Sequence, residues 1–253
     1  MLVKLERSGK IGILSLQRPE RANALNRQLL ESLASIQESL RTDREIRVLV
    51  TTGEGKGFSA GSDLDEIARL SAAEAVEHQL LEGCVCRNFL SLPQPTIAAV
   101  RGYALGGGLF LAAYHDFRII AAKARLGLPE VKLGWNPTFG IARLIRLAGV
   151  GAATRWLMAG DEFSAEEARQ LGLATAVVDE ERDVLGQALD LGERLAVLPG
   201  AGLAAIKEAL WREEAAGYER TDALEAEIFG RCLDTPEAQA SLLRYQATRS
   251  EKG

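Results

Sequence analysis

Two hydrophobic periodicities divide the chain. Short alternating or wholly apolar runs, the pattern of strands, recur between stretches with apolar residues three and four apart, the pattern of helices. Residues 2–6 and 11–16 alternate around Ser8-Gly9-Lys10 and predict a hairpin. Asn26 is a predicted N-cap, followed by Leu29, Leu30, Leu33, Ile36 and Leu40 on a helical period. Residues 46–52 predict a strand, 72–92 a helix stopped by Leu92-Pro93, and 95–100 a buried strand. Further strands are expected over 117–122 and 174–178, with helices over 139–147 and 151–158. Ser164 and Glu167, three apart, predict a capping box, and Gly172 ends the helix that follows. Beyond Asp183 only helical periodicity remains, broken at Pro199-Gly200 and Thr235-Pro236. An α/β fold with a recurring strand–strand–helix rhythm and a helical C-terminal part is the class this predicts.

Between the strand at 95–100 and the apolar run 109–114 lie Gly106, Gly107 and Gly108. Glycines in succession cost a helix start chain entropy, so a physical reason is required. Close approach of a ligand to bare backbone is one, and tight packing of the helix on a neighbouring strand is another. The stretch by itself leaves both open. A helix N-terminus also offers unpaired N–H groups and a positive dipole end, suited to a forming negative charge. A second glycine-rich loop, Gly53-Glu-Gly-Lys-Gly-Phe-Ser-Ala-Gly-Ser-Asp63, leaves the strand at 46–52 and runs into a short helix at Leu64. If the two strands are parallel neighbours, both helix starts open on one sheet edge. Two amides would then converge on a single oxygen as an oxyanion hole. A dinucleotide or P-loop site fails: no G-x-G-x-x-G follows the first strand, and Gly53-Glu-Gly-Lys lacks Walker A spacing.

Composition narrows the field. The 253 residues are 47% apolar, enough for one large domain or a domain with an appendage. A net charge of −5, with no basic helix, argues against nucleic acid or a membrane surface as partner. Three cysteines without metal or disulfide spacing fit a reducing compartment, and two histidines exclude a multi-His metal site. No secretory h-region opens the chain and no apolar run reaches membrane-spanning length, so a cytoplasmic protein is expected.

Phe58-Ser-Ala-Gly-Ser-Asp-Leu64 and Gly102-Tyr-Ala-Leu-Gly-Gly-Gly108 resemble the two signatures of the crotonase (enoyl-CoA hydratase/isomerase) superfamily. Arg18-Pro with Asn23-Ala-Leu25, Asp116 with Arg118, Pro129-Glu-Val with Leu133-Gly134, and Ser164-Ala-Glu-Glu-Ala168 extend the likeness over nearly all of residues 1–215. The resemblance implies a spiral of ββα turns over 1–198, carrying binding and catalysis. Residues 199–253 would form a helical region that makes trimers or dimers of trimers. It implies that the amides of Ser62 and Gly107 grip a CoA thioester carbonyl, with coenzyme A entering as part of the substrate and no other cofactor or metal. It places Arg21, Ala22, Ala60, Asp63, Leu64 and Asp65 along the CoA moiety, with Gly106, Phe110 and Trp135 nearer the acyl chain. Lys56 and Arg21 would meet CoA phosphates, although each taken singly also reads as a solvated surface cation.

Acid–base residues separate the members of such a family. The hydratases it includes hold a water between two glutamates, the first two residues beyond the glycine triplet and the second after the proline of Pro129-Glu130. The first position is Phe110 here, and the second is present. Glu130 alone suffices to move a proton between two carbons, so double-bond isomerisation is the expected reaction. Hydration with a substitute water-positioning group and a non-catalytic acyl-CoA-binding protein are the alternatives. Thr138 stands where members acting on dienoyl or haloaroyl thioesters carry an aspartate. Trp135, Asn136 and Phe139 are expected to shape the acyl pocket, with a turn-forming role the other reading of Asn136. His78 is expected at the surface, His115 in a structural role, and Cys84 and Cys86 in packing. Trp211, Tyr218, Leu224 and Phe229 read as core or subunit contact, and the tail as a cap on a neighbour's CoA site.

Overall fold

The computed structural model describes residues 2–180 and 183–250, without the side chains of 213–216 and 248–250. A hairpin, β1 (Val3–Ser8) and β2 (Ile11–Leu16), opens the fold. A single 3-10 turn at Pro19–Arg21 leads to helix α1 (Arg27–Thr42), which Asn26 caps by accepting from the Leu29 amide. Strand β3 (Val48–Gly53) then leaves through the first glycine loop into α2 (Leu64–Ile67) and α3 (Ala72–Ser91). Strands β4 (Thr96–Val100) and β5 (Tyr103–Leu105) feed α4 (Gly107–Ala113). The next turn is β6 (Phe117–Ala121), β7 (Arg125–Gly127), α5 (Glu130–Leu133) and α6 (Ile141–Ala159). Then come β8 (Glu162–Phe163), α7 (Ala165–Gln170) and β9 (Ala176–Val178). Helices α8 (Val184–Ala196), α9 (Gly200–Leu233) and α10 (Pro236–Ser250) complete the described chain.

The strands form two sheets. The larger runs β1-β2-β3-β4-β6-β9, antiparallel only in the first pair, and the smaller runs β5-β7-β8. Two successive turns, β4–β5–α4 and β6–β7–α5, each add one strand to each sheet and then a helix, the ββα rhythm of the spiral. Strands β3 and β4 are buried along their whole length, as parallel strands covered on both faces must be. Their register sets Leu49 beside Thr96, so the two glycine loops leave the same edge.

The smaller sheet is extended by isolated bridges, Leu25 with Ser62 and Ser59 with Ala104. Residues 25, 59–62, 103–105 and 125–127 therefore stack as rungs, a second layer invisible to periodicity because each rung is too short to show one.

Several local expectations are corrected. His78 is fully buried, because α3 lies sandwiched between α1 and α9 rather than at the surface. Cys84 is exposed while Cys86 is buried, so only the latter packs. The two helices expected around residue 150 form one element kinked at Gly149, whose φ is 81°. Ser164 accepts from the Glu167 amide, but the Glu167 carboxylate turns to Trp156 Nε1 at 2.9 Å, so the reciprocal half of the box is missing. Tyr218 and Phe229 are core residues, and Leu224 is exposed.

Candidate functional site

An anchor beneath the cleft comes first in the chain. Asn23, fully buried and left-handed at φ 52°, accepts from the Arg18 amide at 2.9 Å. Its Nδ2 donates to the carbonyls of Glu54 and Gly57 at 2.8 and 3.0 Å, and its own carbonyl accepts from Ser59 Oγ at 2.8 Å. The turn after Arg18-Pro thus clamps the first glycine loop to the rung of Ser59. Asp63 pairs with Arg18 at 2.9 Å and caps α2, accepting from the amides of Asp65 and Glu66. Arg21, beside it, pairs with Asp65 at 2.8 Å.

Above this anchor lies a cleft. Arg21, Ala22, Ala60, Ser62, Asp63 and Leu64 form one side, and Gly106, Gly107, Phe110, Glu130 and Trp135 the other. Asp65 reaches the site only through its pair with Arg21. Lys56 is elsewhere, in a separate depression with Glu54, Arg101 and Leu185, because the loop turns its tip away from the cleft. Phe229 of α9 and Tyr245 of α10 also line the cleft, so the tail covers the site of its own chain.

The amides of Ser62 and Gly107 have no hydrogen-bond acceptor among the described residues. Stacked rungs bring them together: a Cβ on Gly61 would sit 3.0 Å from the Gly107 nitrogen. Gly106, with φ 51°, accepts the turn that starts α4.

The glycine triplet has a specific spatial cause. A Cβ on Gly106 would stand 2.8 Å from Glu130 Oε1, one on Gly107 would overlap Glu82 Oε1, and one on Gly108 would meet the Ser59 carbonyl. Two of the three glycines therefore make room for carboxyl groups, and the third for packing against a rung. Both physical reasons open at the sequence level are tight contacts, but two of them are with ionisable groups.

Glu130 opens α5, and its Oε2 is sealed from solvent with no partner. Burial pushes its carboxyl up to about 7, where a group can both take and give a proton at neutral pH. Phe110 is buried against Phe139, ring centroids 5.4 Å apart, and a Cβ on Gly140 would overlap its ring. Trp135 meets Phe229 edge-on at 5.9 Å. Asn136 Nδ2 donates to the carbonyls of Pro137 at 2.6 Å and Glu225 at 2.9 Å, tying the loop to α9. Thr138 donates to Gln79. His115 is structural, held between the Leu111 carbonyl and Thr51 Oγ1 at 2.9 and 2.8 Å.

Glu82 and His78 were not anticipated. Glu82 has no exposed surface, and its Oε1 accepts from Ser62 Oγ at 3.1 Å. Burial first, and Glu130 among its neighbours, push its carboxyl up to about 8 against the pull of the Ser62 hydroxyl. A signal was present in the sequence: residues 75, 78, 82, 86 and 89 fall on one helical face that otherwise carries Ala, Cys and Phe.

Residues 6–252 match the family model described as enoyl-CoA hydratase/isomerase, and the chain belongs to that family. It is similar to the short-chain-enoyl-CoA hydratase of Clostridium acetobutylicum, 32% identical over 99% of this chain and 97% of the relative. It is similar also to the crotonyl-CoA hydratase of Syntrophomonas wolfei, 36% identical over 97% and 95%. The solved structure of Pseudomonas aeruginosa OdaA superimposes with a TM-score of 0.87 at 31% identity, covering 96% of this chain and 98% of that one.

Proposed function

We propose that the chain acts on an enoyl-CoA thioester, with the carbonyl oxygen on the amides of Ser62 and Gly107 and proton exchange at Glu130. The observation that carries this reading is the meeting, at one cleft, of two unpartnered amides and a carboxyl with one sealed, unpartnered oxygen. Hydrogen bonds from fixed amides strengthen as negative charge gathers on the thioester oxygen, and losing one such donor costs ~3 kcal/mol of barrier. Coenzyme A enters as part of the substrate, Arg21 and Ala22 flank it, and no other cofactor takes part.

Glu130 by itself supports double-bond isomerisation, and Phe110 favours that outcome. The names of the Clostridium and Syntrophomonas relatives favour hydration, and so does the second carboxyl of Glu82. Hydration of a 2-enoyl-CoA is therefore the reading adopted, with isomerisation second. Exposed apolar side chains on α6 and the tail, Val150, Met158, Ile206 and Leu210 among them, support self-association as a trimer or a dimer of trimers. Incubation with 2-enoyl-CoA and separately with 3-enoyl-CoA tests the function. Consumption of the first is expected, and inertness toward both overturns the reading.

A further inference from the structure

We propose that the Ser62 hydroxyl, backed by Glu82, is the second proton-exchanging group of this cleft and stands in for the carboxyl absent at Phe110. The inference rests on the thioester reading above and deepens it. Ser62 lines the cleft, while Glu82 lies wholly behind it and reaches the cleft through the bond to Ser62 Oγ at 3.1 Å. Glu82 Oε2 is buried without a hydrogen-bond partner, and His78 Nε2 stands 3.9 Å from it. An orphaned polar atom of this kind is costly and rare in a core. A structural glutamate would be tied by both oxygens. Gly107 keeps the space for it, because any side chain there would overlap Oε1.

The groups facing Glu82 are His78 and Cys86 on its own helix, Glu66 of α2 and Glu130 of α5. Burial pushes the His78 imidazole down from its ordinary value, so it faces the carboxyl as a neutral ring. Burial keeps Glu82 in its acid form near neutrality. Rotation of the Ser62 hydroxyl, which donates to Oε1 at rest, lets the same 3.1 Å contact carry the Glu82 proton to Oγ.

The hydration step balances with these groups. A water oxygen bonds to the β-carbon as the Glu130 carboxylate takes the water's proton. The π pair of the double bond moves toward the thioester, whose oxygen gains the charge between the two amides. As the enolate collapses, the Ser62 hydroxyl proton goes to the α-carbon and the Glu82 proton moves to Ser62 Oγ. Glu130 then gives its proton to solvent in the cleft, Glu82 regains one through Ser62 Oγ, and the net change is addition of one water.

The test follows hydration of crotonyl-CoA by the native chain, S62A, E82Q and E82D across about pH 5.5 to 9.5. S62A keeps its backbone amide, so it removes only the relay. For S62A and E82Q, kcat should fall about 100-fold with KM within about threefold, and E82D should regain about tenfold over E82Q. The alkaline limb of the native pH profile should vanish in S62A and E82Q, which a structural role would not bring about. Native-like hydration by either variant overturns the proposal, as does a loss that keeps both limbs. Should E82Q fail to fold, S62A decides alone. A native chain that isomerises 3-enoyl-CoA without hydrating crotonyl-CoA overturns this proposal only. One that transforms neither overturns the thioester reading with it.

Discussion

The two walls of the cleft carry a carboxyl group each, held in different ways. On one, Glu130 begins a four-residue helix and meets the cleft directly, with Gly106 cut back to admit it. On the other, Glu82 sits mid-way along a twenty-residue helix, sealed from solvent, and meets the cleft through a serine. The first arrangement leaves a carboxyl at the cleft, and the second keeps one with no exposed surface. Environment, more than residue type, sets the task of each glutamate.

Breaking the direct wall should have the largest effect. Glu130→Gln should lower turnover about 10³-fold while acyl-CoA affinity, read by calorimetry, stays within a few-fold. Retained turnover would remove Glu130 from the chemistry. Next comes the backbone between the walls. Gly107→Ala forces a methyl onto Glu82 and should cost about 100-fold in kcat, whereas added to a chain already carrying Glu82→Ala it should cost no more than a few-fold further. The full loss again would mean that the collision with Glu82 is not the cause.

The shared anchor ranks third, being a matter of stability. Asn23→Ala removes three side-chain hydrogen bonds, to the Arg18 amide and to the carbonyls of Glu54 and Gly57, and should destabilise the fold by about 3 kcal/mol in urea titration. The smallest effect is a pH dependence. Glu82 and Glu130 stay neutral in the fold up to about 8 and about 7, but ionise near their ordinary values when unfolded. The fold therefore binds more protons, and these groups lend stability that is full at low pH and lost as pH rises through about 7 to 8. Glu82→Gln should melt above the native chain at alkaline pH and lose that advantage at acid pH. The opposite trend would mean that the buried carboxyl is ionised in the fold.

The sequence revealed the direct wall and concealed the other. Glu130 follows a proline at a motif position, and Ser62 and Gly107 sit at glycine-marked turns, so local pattern located all three. Glu82 is forty-eight residues from Glu130 along the chain, inside a helix whose apolar stripe is weak because His78, Gln79 and Glu82 lie on its buried face. A polar residue on a buried face reads as solvated until the neighbouring helices are placed, and the same error put His78 outside. Lys56 lies apart from the cleft for another reason. A cation in a loop near a phosphate motif has no local signal for the direction in which the loop turns, and this one turns away. At Gly107 the structure adds a cause that the sequence did not offer, since the space at its Cβ is filled by the Glu82 carboxyl.

The rung arrangement has a consequence for how such a protein can change. Ser62 and Gly107 ride on neighbouring steps of a coil whose spacing is the ~4.8 Å repeat of paired strands. Main-chain pairing thus sets how far apart the two amides stand, so an exchange of side chains nearby leaves that spacing unchanged.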